Sequence, residues 1–166
     1  MPLRLSENFG LEEFTRCQAA SRLGIANVPP ADSIPAIRLL VERVLQPART
    51  HFGKPMSINS GYRCRQANEA IHGAKDSQHI WTSLWAASDI EMLGIDNLAL
   101  AHWIKDNCPC DQLISECYDH EQGPSSGWVH VSLRTDGRNR NELLTFQAGK
   151  GYTPGLPALP SYNRRR

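Results

Sequence analysis

The sequence predicts an α+β fold: a small, mainly antiparallel sheet with flanking helices. Segments with apolar residues at helical spacing alternate along the chain with short runs of period-two alternation. The last two such runs, residues 112–117 and 128–133, flank a loop rich in Gly, Pro and Ser, the pattern of a hairpin rather than of parallel crossover units. A chain of 166 residues, 40% hydrophobic and 21% charged, has the size and composition of one soluble globular domain.

Residues 6–30 place Leu11, Phe14, Ala19, Leu23 and Ile25 among Glu12, Glu13 and Arg16, which predicts one or two short amphipathic helices ending before Pro29-Pro30. From Ser33, a candidate N-cap with Pro35 in the first turn, the residues Ile34, Ile37, Leu40, Val41, Val44 and Leu45 predict the main helix of the first half. Gly53-Lys54-Pro55 turns the chain into a strand over residues 56–60 that ends at Gly61. A short helix over 65–72, a short strand around Ser88-Asp89-Ile90 and a helix over 97–106 capped by Asp96 or Asn97 follow, and then the hairpin. Residues 1–149 are expected to form the single domain. Residues 150–166, with Pro154, Pro157, Pro160 and three terminal arginines, are expected to be a loose tail without a catalytic part.

Eighteen Lys plus Arg against 17 Asp plus Glu leave a net charge of +1, so no whole-chain field draws nucleic acid or an anionic membrane. A local arginine cluster, Arg134, Arg138, Arg140 and the terminal arginines, is the weaker nucleic-acid alternative. No apolar run approaches the ~18 residues of a membrane span. Residues 1–9 carry Arg4, Glu7 and Asn8 where a signal peptide needs an apolar core, so the chain is expected to be made and kept in the cytoplasm or to leave by a route not written in it. Five cysteines without such a signal read as free thiols, and Cys108-Pro109-Cys110 lacks the spacing of a zinc knuckle.

Chemistry is expected where polar residues interrupt apolar strands. His79 closes a Ser77-Gln78-His79 turn, Asp89 sits inside one strand and His130 alternates with Val129 and Val131 in another. A carboxylate or imidazole facing a core is costly unless paired or metal-bound, and two histidines with one carboxylate are the protein ligands of one class of catalytic zinc site. Each residue on its own is equally compatible with separate exposure or simple hydrogen bonding.

Four motifs in order, Ser60-Gly61-Tyr62-Arg63, Ser77-Gln78-His79, Ala87-Ser88-Asp89-Ile90 and Trp128-Val129-His130-Val131, resemble those of the zinc D-Ala-D-Ala carboxypeptidases and peptidoglycan endopeptidases, which share the Hedgehog/DD-peptidase fold. The segments Phe9-Gly10-Leu11-Glu12-Glu13-Phe14 and Gly24-Ile25-Ala26-Asn27 resemble its phage and bacterial branch, and the likeness covers about residues 3–147. The resemblance implies Zn2+ held by His79, Asp89 and His130, with Arg63 on the substrate carboxylate or carbonyl and Ser77 beside the site. It further implies a bacterial peptidoglycan peptide as substrate and an endolysin-like, phage-encoded enzyme reaching the wall by release.

Two departures qualify the transfer. The separation of His79 and Asp89 exceeds the family's pattern by three residues, and the intervening stretch holds Trp81 and Trp85 but no glycine. Gly127 stands where many members carry the general-base glutamate, three residues before the last zinc histidine. Glu116 is the expected substitute, since it lies on the strand paired with His130 and can share its face, with Asp119, His120 and Glu121 in reserve. Trp81, Trp85 and Trp128 are expected to line the cleft, Trp128 as a substrate contact. The alternative is a peptidase fold that has lost its chemistry and binds wall peptide or a phage structural partner.

Overall fold

In the computed structural model, which describes residues 3–160, the sheet has six strands in the order β1-β2-β4-β3-β5-β6. They are β1 (Met56–Ser60), β2 (Trp85–Met92), β3 (Gln112–Glu116), β4 (Trp128–Arg134), β5 (Glu142–Gln147) and β6 (Gly151–Pro154). All neighbours are antiparallel except β3 and β5, which run parallel. This is the expected α+β class. The tail expected from residue 150 begins instead as β6, paired with β5 from Gln147↔Gly151 to Leu144↔Pro154. The sheet therefore extends two strands beyond the expected hairpin, and the terminal arginines lie outside the described residues.

Two short helices, α1 (Leu11–Phe14) and α2 (Gln18–Leu23), fill the N-terminal segment. The main helix starts as α3 (Ile34–Leu40), passes through one π turn over Val41–Leu45 and ends as α4 (Gln46–Phe52). It is longer than its apolar pattern announces because Pro47 would end a regular helix; the wider turn just before it takes up the missing N–H and the ring. Ser33 does not cap this helix by its side chain; its hydroxyl donates to the Pro30 carbonyl at 2.7 Å. Short α5 (Arg65–Ala70) and α6 (Asn97–Asn107) complete the set. Asp96 accepts from the Leu98 and Ala99 amides as the N-cap of α6.

Alternation assigns the two sheet faces. Ala86, Ile90 and Met92 of β2 and Val129, Val131 and Leu133 of β4 belong to a core with Ile37, Leu40, Val44, Leu100 and Ile104. The opposite face carries Asp89, Trp128, His130, Ile114 and Glu116. A register shift between Ile58 and Ser60 in β1 sets Ser60 opposite Asp89, so the strand's last residue turns toward that polar face.

Candidate active site

Arg63, Ser77, His79, Asp89, Glu116, Trp128 and His130, distant from one another in sequence, line one cleft of about 490 Å3. The sheet register explains part of that convergence. Asp89 pairs with His130 across β2 and β4, and Glu116 pairs with Trp128 across β3 and β4.

Loops bring the other members. Gly61 lies against the backbone of Phe14, where a Cβ would collide with the Phe14 carbonyl oxygen and come within 2.8 Å of its Cα, so only glycine fits this turn. The Asn27 side chain then fixes the turn: its amide donates to the carbonyls of Thr15 and Tyr62, and its oxygen accepts from the Cys64 amide at 2.8 Å. Arg63 leaves this pinned backbone with its guanidinium donating to Ser60 Oγ at 3.1 Å and Asn68 Oδ1 at 3.2 Å. The side chain is thus oriented before any substrate arrives.

His79 is anchored twice. The Arg63 amide donates to its carbonyl at 2.9 Å, and its Nδ1 lies 2.8 Å from the Gly61 carbonyl. A carbonyl only accepts, so Nδ1 carries a hydrogen and, in the neutral ring, Nε2 presents a lone pair. The three extra residues that follow do not displace it. Trp81 is buried against Phe14 and Tyr62, with its indole N–H donating to the Ala87 carbonyl at 3.0 Å, and so folds the longer connection into the core. The expectation that Trp81 and Trp85 line the cleft is thereby corrected; Trp128 alone of the three does so. Ser77 lies at the cleft with its hydroxyl 3.4 Å from the His79 amide. Asp119, His120 and Glu121 fall in the β3–β4 loop, outside the cleft lining; Asp119 accepts from Glu121 and Gln122 of that same loop.

At the floor, Asp89 Oδ1 lies 3.2 Å from His79 Nε2 and 2.9 Å from His130 Nδ1. A lone pair on His79 Nε2 facing a carboxylate oxygen is repulsive unless a cation or a proton lies between them. The two nitrogens and one oxygen converge as metal donors do, and among the described residues this His79-Asp89-His130 group is where such donors cluster. His130 Nε2 on the far side of its ring is buried and, among the described residues, without a hydrogen-bond partner. Two imidazole nitrogens and a carboxylate suit zinc, so the donor set fits that ion.

The three groups perturb one another strongly. Burial alone would raise the Asp89 carboxyl, yet the two imidazoles beside it hold it well below the usual carboxylate range. Burial works to lower His79, but the Asp89 charge prevails and raises it, whereas burial prevails at His130 and lowers it. Burial first, and the Asp89 charge second, push the Glu116 carboxyl up to about 7.

One network was not announced by any motif. Asp111, buried at the entry to β3, accepts from Gln78 Nε2 at 2.7 Å, from the Arg140 amide at 3.0 Å and from Arg140 Nη2 at 2.7 Å. It ties the residue before His79 to the start of β3 and to the segment entering β5. Arg140 and Arg134 are thus committed to Asp111, Glu142 and Asp136 rather than forming a free basic patch.

A six-stranded α+β sheet thus carries, in one cleft, a His-Asp-His group whose donors could hold a metal ion. The sequence model of the Peptidase M15 family matches residues 7–132, and the chain belongs to that family. No curated protein and no solved structure matches it. Among the described residues no helix is long and apolar enough to cross a membrane.

Proposed function

We propose that this peptidase is a zinc enzyme that hydrolyses a peptide bond of bacterial peptidoglycan, as a D-alanyl carboxypeptidase or an endopeptidase, and acts on the wall in the manner of an endolysin. The observation that carries the reading is the approach of His79 Nε2 and His130 Nδ1 to one oxygen of Asp89, in a cleft that also holds the Glu116 carboxyl and a preoriented arginine.

Zinc held by His79, Asp89 and His130 would supply a Lewis acid and make hydroxide available near neutral pH. Glu116 takes a proton from the attacking water and returns it to the leaving amine, work suited to a half-buried carboxyl whose affinity for the proton is raised toward neutrality. Arg63, held by Ser60 and Asn68, binds the substrate's carboxylate or its polarised carbonyl and offsets the charge that develops there. Trp128 forms the wall above Glu116, and Ser77 holds the turn that presents His79.

Glu116 replaces a glutamate at position 127 for a structural reason. Gly127 has φ +63°, and a Cβ there would overlap the Glu116 carbonyl oxygen and lie 2.7 Å from both the Cys117 carbonyl carbon and the Tyr118 amide. The backbone at the end of β3 occupies the space a side chain at 127 would need. The cleft carboxyl left for that role in our reading is Glu116 of β3.

Digestion of purified peptidoglycan by the zinc-loaded protein, with products identified by mass spectrometry, tests the proposal. Released peptides with new termini at one bond type support it. Intact wall under these conditions, with the protein folded and one zinc bound, would reassign the chain to a peptidase fold that binds wall peptide without cutting it.

A further inference from the structure

The family match ends at residue 132, yet the cleft does not. The chain beyond it contributes Arg140, Leu144 and Tyr152 to the lining. Pairing places these residues relative to the metal donors. Asp89 pairs with His130, His130 with Ile114, Ile114 with Leu144 and Leu144 with Pro154, so one transverse row of the sheet runs from the donors across β3 to β5 and β6. The next row contains Trp128, Glu116, Phe146 and Tyr152, with the two aromatic rings of the hairpin 4.8 Å apart.

This makes a shelf with an aliphatic floor, Ile114 and Leu144, and an aromatic lip at Tyr152, which is 60% exposed. Its opposite edge holds Arg140, whose Nε and Nη2 face Asp111 and whose Nη1 lies 3.0 Å from Glu142. Two carboxylates, Asp111 and Glu142, thus offset the one guanidinium charge at this edge. The hairpin is firmly seated: the Cys117 amide donates to the Phe146 carbonyl, Gln147 donates to the Tyr118 carbonyl, and Thr145 donates to the Gly155 carbonyl.

We propose that the β5–β6 hairpin is a substrate subsite that takes a residue with an aliphatic body, two to three positions N-terminal to the scissile bond. The inference rests on the peptidase reading above, and deepens it. Strands lie ~4.8 Å apart, so β5 is roughly 10 Å from β4, the span of about three residues of extended peptide at ~3.3 Å each. The direction follows from Arg63, which stands on the β1 side of the donors. With a C-terminal carboxylate or carbonyl held there, the N-terminal part of the peptide crosses β3 toward β5.

Binding and cleavage of two probes by the zinc-loaded chain separate the possibilities: a synthetic stem pentapeptide ending in D-Ala-D-Ala, and the D-Ala-D-Ala dipeptide alone. Calorimetry should give about tenfold tighter binding of the pentapeptide, ~1.4 kcal/mol, and Tyr152→Ala should bring that ratio toward one; its exposure at the lip makes a folding defect easy to exclude by thermal unfolding. Leu144→Gln should lower the ratio in the same direction. Equal affinity of wild type for the two probes, an unchanged ratio in Tyr152→Ala, or no binding of either probe overturns the subsite. Cleavage with an unchanged ratio refutes the subsite alone, whereas the predicted ratios without cleavage refute the peptidase reading and leave the subsite standing.

Discussion

Gly127→Ala should be far more damaging than a loop glycine ordinarily is. The left-handed backbone at φ +63° costs a non-glycine residue ~1–2 kcal/mol, and forcing a methyl into occupied space adds ~1–3 kcal/mol, giving about 2–5 kcal/mol in all. The overlap is with backbone atoms of Glu116, Cys117 and Tyr118, so no side-chain rotation relieves it. Gly137 supplies the internal control: its φ is +73°, but among the described residues nothing lies within 4 Å of its would-be Cβ, so Gly137→Ala incurs the backbone cost only. For a domain of this size ~2–4 °C of melting temperature is lost per kcal/mol, which sets Gly127→Ala at about 4–20 °C and Gly137→Ala at about 2–8 °C. Thermal unfolding followed by circular dichroism measures both. Because the displaced backbone carries Glu116, Gly127→Ala should also lose peptide cleavage below its melting range, and Gly127→Glu should not restore it. A melting loss in Gly127→Ala no larger than in Gly137→Ala would refute the clash, and a more active Gly127→Glu would refute the assignment of the base to β3.

Three other substitutions have defined outcomes. Glu116→Gln should reduce cleavage by ~10²–10⁴-fold and abolish the acid limb of the pH–rate profile. In the wild type that limb reflects loss of the carboxylate as pH falls. A bound cation opposes the burial that pushes the carboxyl up to about 7, so the midpoint lies between ~4.3 and that value. Asp111→Asn should destabilise the fold by about 2 kcal/mol at neutral pH, a value discounted because Arg140 is half exposed. Burial would raise the Asp111 carboxyl but its Arg140 and Gln78 partners lower it, so its contribution is complete above pH ~4 and fades as pH falls through the lowered value. The difference between wild type and Asp111→Asn in urea titrations should therefore shrink in acid. Trp81→Ala should cost ~3–5 kcal/mol through the cavity left in the core, with zinc affinity falling alongside as the His79 loop loosens; unchanged unfolding would contradict its role as the anchor of the longer connection.

Most elements up to Arg134 were legible because their patterns are local, the π turn and the far end of the main helix excepted. Apolar spacing, the cap at Asp96 and the turns at Gly53 and Gly61 each point to the observed element. The last two strands were not, for a physical reason: every residue of Glu142–Gln147 is half-buried, so no alternation between a wet and a dry face is written into them. The glycines and prolines after Gln147 look like tail composition, and only the pairing of β5 with β3, far upstream, makes that segment a sheet edge. The donor triad was legible through motifs, and the facing of Glu116 through strand alternation. The groups that aim the site were not. Asp111 reaches Gln78 and Arg140 across distant segments, and Asn27 clamps the Arg63 turn from a separate stretch of chain, contacts that no spacing rule encodes. The tryptophans divide by position in the fold: Trp81 is buried in the core, Trp128 lines the cleft, and Trp85, half-buried like Trp128, does not.

The most direct test of the central claim is zinc stoichiometry by elemental analysis of the dialysed protein, in wild type and Asp89→Ala, with wall-peptide release measured on the same samples. One zinc per wild-type chain, none in Asp89→Ala, and release that is lost on chelation and restored by added zinc is the predicted result. Full zinc occupancy in Asp89→Ala, or undiminished release from metal-free wild type, would contradict the assignment of His79, Asp89 and His130 as the catalytic metal site.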